Sequence, residues 1–464
     1  MTTVVQTPNT DRDTDIELLG HLYRRAGFGA TREQLERYIE RSYEDTVEAL
    51  LNPDPAADIP DDVLERYIHG EGPPIFVGSW LYRMINTECQ LQEKIALFWH
   101  HVFATGLVKN EHVLSAKNQI KMFRRNGLGD LRTILNDLSR DPAMLYWLDN
   151  NENRNGEPNE NFGRELLELF SMGVGNYSEQ DIKDASRAFT GWTFDQPIPL
   201  YPHGYYPAKF VFRADDHDSG EKTFLGVTGN LDGGDIIDII VKSPASARFI
   251  CRHLYNFFVA DEPQVPSWND VPPTNPEAVA QMEMTFLETG GDIRSVLRVM
   301  FNSDFFKAAR FKKVKSPTEF VVGVLKMVRS RSEMAPGMTK YAGAIELMGQ
   351  KLLDPPTVEG WHTGAEWIDG GNLTERVNFA VDEIGDGSAP GIQAIIRRMQ
   401  ESDAFASADS LVNAALAETG AVEISEITRG ALTEFATETD GEDVNSRVVR
   451  LLRLVVSTPE YQFA

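Results

Sequence analysis

The chain has 464 residues, 42% hydrophobic and 10% aromatic, enough to bury a large core and to form two or three domains. Acidic residues outnumber basic ones 70 to 45, and a net charge of −25 opposes binding to nucleic acid or anionic lipid. Only Cys89 and Cys251 occur, too few for a disulfide framework and without zinc-site spacing, so both are expected to be buried thiols.

Residues 1–14 are polar and expected to be disordered. MTTVVQTPNTDRDTD lacks a basic segment followed by an apolar run, and no stretch of 18 apolar residues follows, so the expected protein is soluble, cytoplasmic and off the membrane. From residue 15 helical spacing dominates, and Thr31 precedes an apolar-periodic run as an N-cap should. The expected fold is mainly α, a multi-helix globular fold with a small β-hairpin insertion near 208–226. An N-terminal helical region is expected over 15–260, with a C-terminal helical region over 277–464 packed on it. The Pro-rich DEPQVPSWNDVPPTNP at 261–276 separates the two.

Four segments resemble one another: GDLRTILNDLSRDPAM at 129–144, GDIIDIIVKSPASARF at 234–249, GDIRSVLRVMFNSDFF at 291–306 and VVRLLRLVVSTPEYQF at 448–463. In the first three an Asp after Gly can cap a helix, apolar residues recur at three- and four-residue steps, and a Ser/Asp turn ends the run. Their irregular spacing excludes a fixed-period solenoid and suggests one recurrent packing device. The departure from helix is AKFVFRADDHDSGEKTFLG at 208–226, where KFVFR and KTFLG alternate as two strands around an acidic loop.

Chemistry is first suggested by QEKIALFWHHVFATG at 92–106, a helix with adjacent His100 and His101. Adjacent helical side chains diverge by about 100°, so one His at most shares the side of Glu93, and that acid lies about 10.5 Å away along the axis from His100. A His satisfied inside a core and a His in a site both fit this spacing. In NENFGRELLELF, Glu160, Arg164 and Glu168 stand at i, i+4 and i+8 beside the stripe Phe162, Leu166, Leu169 and Phe170. Asn161 and Glu165 share that polar edge. Surface ion pairs would explain the pattern, and so would a carboxylate cluster that holds a cation or orients His100 or His101.

Asp216 and Asp218 flank His217 in an extended loop, where alternate residues point to one side and suit a hard cation or a base and its orienter. The calcium-loop spacing fails, because neither the Gly nor the closing Glu stands in register. Around 355–380, Trp361, His362, Glu366 and Trp367 follow a Gly-Trp pair that recurs at Trp192. A large ring over Gly is a common packing feature, and the tryptophans could instead line a pocket. No GxSxG, P-loop or dinucleotide fingerprint occurs.

Taken in order, LLGHLYRRAGFGAT, LQEKIALFWHHVFATG, DPAMLYWLDNNENRNGEPNENFGRELLELFSMGVGNYSEQDIKDASRAFTGW, DDHDSGEKTFLG, MGQKLLDPPTVEGWHTGAEWI and STPEYQ resemble the bacterial family catalogued as domain of unknown function 1800, from about residue 17 onward. The resemblance implies no established activity. It implies relatives that often look secreted and are encoded beside sulfatase-like proteins, whereas no export signal is read here. The family's common His-His-His run stands in this chain as His100-His101-Val102.

Together these residues suggest a polar pocket. His100, His101, Glu165, Glu168 and His217 are its catalytic candidates. Arg164, Asn161, Trp192, Trp361 and His362 are its ligand-binding candidates, and Glu160, Asp216 and Asp218 could hold a divalent metal. Such a pocket would perform metal-assisted or acid–base hydrolysis on a small molecule or protein that the sequence does not name. The competing expectation is a non-catalytic helical scaffold or partner-binding protein whose polar motifs form a structural network. Unpaired acids and histidines around one cavity would favour the first; separately satisfied pairs would favour the second.

Overall fold

A single helix, Gln90–Val102, runs through the middle of the molecule because eleven of its positions after Gln90 leave no polar face to water: every residue but Gln92 is buried. The computed structural model describes residues 10–67, 72–110, 112–196, 207–333, 337–420 and 422–464. Residues 1–9, most of the stretch expected to be disordered, lie outside it, as does the Pro/Tyr-rich segment 197–206. Among the described residues there are 24 α-helices and two small two-stranded sheets, a mainly α fold. No described helix is long and apolar enough to cross a membrane.

The elements that frame the sites are α1 (Thr10–Ala26), α2 (Pro73–Asn86), α3 (Gln90–Val102), α4 (Asn161–Glu168), α5 (Pro244–Phe258), α6 (Pro317–Val328) and α7 (Pro390–Glu401). Ile95, Phe98, Trp99 and Val102 of α3 are at most 3% exposed, and such side chains each contribute about 1.5–3 kcal/mol by burial. Helix Arg32–Tyr38 starts at Thr31 with a full capping box to Gln34, as its sequence predicts.

Two buried cations of this core share one carboxylate. Glu319 of α6 accepts from Arg25 of α1 at 3.0 Å, from Lys94 of α3, and through its other oxygen from the Ser316 N–H at 2.7 Å. Arg25 also donates to the carbonyl of Phe258 at 3.1 Å, and His21 bonds the carbonyl of Phe306 at 3.0 Å. Three elements from opposite ends of the chain thus close on one another through groups that are costly to bury unpaired.

Both expected strand segments form, but they do not pair with each other. β1 (Trp192–Asp195) pairs with β2 (Lys209–Phe212), and β3 (Lys222–Phe224) pairs with β4 (Val227–Gly229), each antiparallel. Local turn chemistry decides it. Leu225 and Gly226 both take positive φ, 46° and 82°, the pattern of a tight two-residue hairpin turn that brings Val227 back onto Phe224. The acidic loop between β2 and β3 is meanwhile tied elsewhere, with Asp218 on Arg187.

The recurrent helix starts behave as caps. Asp130 accepts from the Thr133 N–H at 2.9 Å and Asp292 from the Ser295 N–H at 2.7 Å, each worth about 1 kcal/mol. In the second copy the cap is Asp232, with Asp235 completing a capping box, so that helix starts earlier than its Gly-Asp pair suggests. The first and third copies also clasp each other: Leu131 N–H donates to the Gly291 carbonyl and Ile293 N–H to the Gly129 carbonyl, both at 3.0 Å.

Candidate functional site

The C-terminal turn of α3 presents His100 and His101, 1% and 9% exposed. His100 Nε2 accepts the Leu353 N–H at 2.9 Å, which leaves the ring proton on Nδ1, a buried atom with no partner among the described residues. Trp361 stacks on His101 with ring planes 15° apart and meets His100 edge-on at 5.2 Å. Gly360 makes that approach possible: its φ is +87°, and a Cβ there would lie 2.5 Å from the His101 carbonyl oxygen. Burial pushes His100 down to about 3; burial, then the nearby Lys313 charge, pushes His101 down to about 4. Both rings are therefore neutral near pH 7. His101, His253, Asn256, Lys313 and Gln350 border a small void of about 10 Å³, the space of one water.

Glu93 does not face these histidines. Its carboxylate takes the Trp80 indole N–H at 3.0 Å and Arg124 at 2.7 Å, and Arg124 reaches on to Asp58 at 2.9 Å.

Helix α4 buries Phe162, Gly163, Leu166 and Leu167 and turns its charged edge outward. A Cβ at position 163 would fall 2.3 Å from the Ser186 hydroxyl, so the glycine sets how closely α4 lies on the next helix. Arg164 is spoken for by Glu179 at 2.9 Å, with Glu160 at 3.5 Å. The Asn161 amide reaches Asp149 at 3.5 Å.

Glu165 is different: it is partly buried and its carboxyl makes no hydrogen bond to any described residue. Burial, and then the charges of Glu168 and Glu359 against an opposing Arg164, push it up from 4.5 to about 7. Glu168, one turn on, accepts from the Tyr177 hydroxyl at 3.3 Å. Glu168 and Glu359 both line a cleft of about 450 Å³ whose other walls include Phe249, Arg248, Arg252 and Trp268. Arg252 is paired with Glu262 at 2.8 Å and lies 4.5 Å over the Trp268 ring.

The remaining candidates sit on partners of their own. His217 Nδ1 donates to the Thr190 carbonyl at 2.9 Å, the Asp218 carboxylate accepts from Arg187 at 2.7 Å, and the Asp218 N–H donates to the Thr190 hydroxyl at 2.8 Å. The Asp216 carbonyl accepts from the Asn155 N–H at 2.7 Å. Trp192 packs edge-on against Phe189 and Phe210, under the Arg140 guanidinium at 5.0 Å. His362 pairs with Glu366 at 3.0 Å in the open. Among the described residues no three His, Cys, Asp or Glu side chains stand together as metal ligands, so Glu160, Asp216 and Asp218 are not gathered into one set.

A model of the family described as Protein of unknown function (DUF1800) matches residues 21–463. The chain belongs to that family. No curated protein and no solved structure matches it.

In this DUF1800 chain the histidine pair and Trp361 form one cluster, and Glu165 and Glu168 form another beside Glu359. Glu359 directly precedes Gly360 and Trp361, so a single turn contributes to both. Sequence spacing gave no signal for Glu359 or Tyr177: each reaches the acids across a loop rather than along a helix face.

Proposed function

We propose that the cleft beside α4 is an acid–base site of a hydrolase, with Glu165 as the group that holds and releases the proton. The observation that supports it is a partly buried carboxyl with no hydrogen-bond partner among the described residues, raised to about 7 beside two further carboxylates. In such a reaction Glu165 gives its proton to the leaving atom while Glu168, steadied by the Tyr177 hydroxyl, takes one from the attacking water; the pair then exchanges that proton with solvent. The neutral His100–His101–Trp361 cluster serves as the packed support for the turn that carries Glu359. No step is routed through a metal, since the described residues offer no ligand trio.

The test is a screen of the purified chain against chromogenic esters, phosphate esters, glycosides and peptides. An activity belonging to this site falls about 100-fold or more in both Glu165→Gln and Glu168→Gln, with the folded spectrum unchanged. Activity indifferent to both substitutions refutes the assignment.

A second reading, a non-catalytic scaffold, draws on a different observation: Glu93 with Arg124, Arg164 with Glu179 and Asp218 with Arg187 are each satisfied separately. It gains ground if no substrate class turns over and the same substitutions move only stability.

A further inference from the structure

The chain carries a net charge of −25, yet one of its pockets is lined by three cations that make no salt bridge with any described residue. The pocket lies between α1, α6 and α7, and shares no lining residue with the cleft that Glu168 and Glu359 line. On α6, Glu319, Gly323 and Lys326 stand at i, i+4 and i+7 and so form one stripe along its wall.

The charges around it sort cleanly. Glu319 is saturated by Arg25, Lys94 and the Ser316 N–H. Arg398 is paired with Glu418 at 2.9 Å, Arg329 with Glu33 at 3.1 Å and Arg32 with Glu36 at 3.0 Å. Three cations remain. Arg24 donates to the Gly420 carbonyl at 2.7 Å, but its Nε is buried without a partner. Lys315 donates to the Tyr461 carbonyl at 2.6 Å and sits 3.9 Å over the Tyr461 ring. Lys326 is 8% exposed, and its ammonium makes no hydrogen bond or ion pair with any described residue; the only carboxylate whose charge reaches it is that of Glu88.

Burying unpaired cations is expensive, and an acidic protein has ample carboxylates with which to pair them. The strain is legible in their protonation: desolvation brings Arg24 down to about 10 and Lys326 to about 8, and sends Lys315 well below its ordinary value. The space they border is also left unfilled. A Cβ at Gly29 would meet nothing within 4 Å, and at Gly323 the nearest atom is the Phe28 carbonyl oxygen at 3.6 Å. Phe28, Phe320 and Ile395 supply an apolar wall.

We propose that this pocket binds a small anionic molecule whose oxyanion, a carboxylate or a phosphate, pairs with Lys326 and whose apolar body rests against Phe28, Phe320 and Ile395, with Arg24 and Lys315 adding positive charge elsewhere on the wall. Lysine serves here as a point charge for the oxyanion. Binding would pair the buried Lys326 and return it toward its ordinary protonation.

The experiment is calorimetric titration of the full chain with benzoate, phenyl phosphate and inorganic phosphate, paired with thermal melts. Saturable binding of benzoate or phenyl phosphate with a raised Tm is expected, and whichever is tighter identifies the headgroup. Lys326→Met should weaken that binding at least tenfold while the ligand-free variant melts no lower than the parent, and Lys326→Arg should retain it. Gly323→Leu, which plugs the space without touching a charge, should abolish it and serves as the second arm if Lys326→Met fails to fold. The proposal is overturned if none of the three probes binds saturably, or if Lys326→Met and Gly323→Leu bind like the parent.

Discussion

Replacing Glu165 by Gln removes a group that the folded state holds protonated against the solvent. Below pH 4.5 Glu165 is neutral whether the chain is folded or not, and it does not shift the balance. Between 4.5 and about 7 the unfolded chain ionises while the folded one does not, so stability falls as pH rises; above about 7 the full penalty is present. At about 1.4 kcal/mol per pH unit the ceiling is about 3 kcal/mol, and solvent screening of a partly exposed carboxyl reduces it to about 1–2 kcal/mol. Gln keeps the shape and cannot ionise. Glu165→Gln should therefore match the parent at pH 4.5 and exceed it by about 1–2 kcal/mol at pH 8. Unfolding entropy over 464 residues is about 1 kcal/mol per kelvin, so the gain is about 1–2 °C in Tm. Paired calorimetric scans at pH 5, 6, 7 and 8 measure it. A difference that stays flat with pH, or a variant less stable at pH 8, would refute the reasoning.

Gly360→Ala should cost about 2–4 kcal/mol, because it adds a side chain at φ +87° and drives a Cβ to 2.5 Å from the His101 carbonyl; Gly29→Ala, also at positive φ but with nothing within 4 Å, should cost about 1 kcal/mol. Denaturant melts of the two distinguish collision from strain, and equal losses would contradict the packing described. His101 is held down to about 4 by burial, so the stability it lends is present above pH 6.5 and is lost as pH falls toward 4. His101→Gln should flatten the fall in unfolding free energy over that window by about 1.4 kcal/mol per pH unit, and an unchanged slope counts against a neutral, buried His101.

What the sequence made legible was local. Caps at Thr31, Asp130 and Asp292 follow from side chains that reach only two or three residues along the chain. Alternation marked KFVF and KTF as strands, but strand partners are set by turns, and the Leu225-Gly226 turn carried no Asn-Gly or Asp-Gly signal. The edge of α4 was visible at i, i+4 spacing, whereas its chemistry depends on Glu359 and Tyr177 arriving from elsewhere. The cationic pocket was hidden for the same reason. Arg24, Lys315 and Lys326 come from both ends of the chain, and no period or motif joins them.

The clasp of α1 on α6 also sets an order of events. Arg25 finds Glu319 only 294 positions later, and at about 5–20 residues per second a ribosome needs about 15–60 s to deliver that partner. Through that interval the apolar face of α1 can already pack on the helices that follow it, but the Arg25 guanidinium has no carboxylate. The amino-terminal part can thus condense early, but its buried guanidinium and ammonium stay unmatched until the distal helix emerges, so the final locking of this core waits on the last third of the chain.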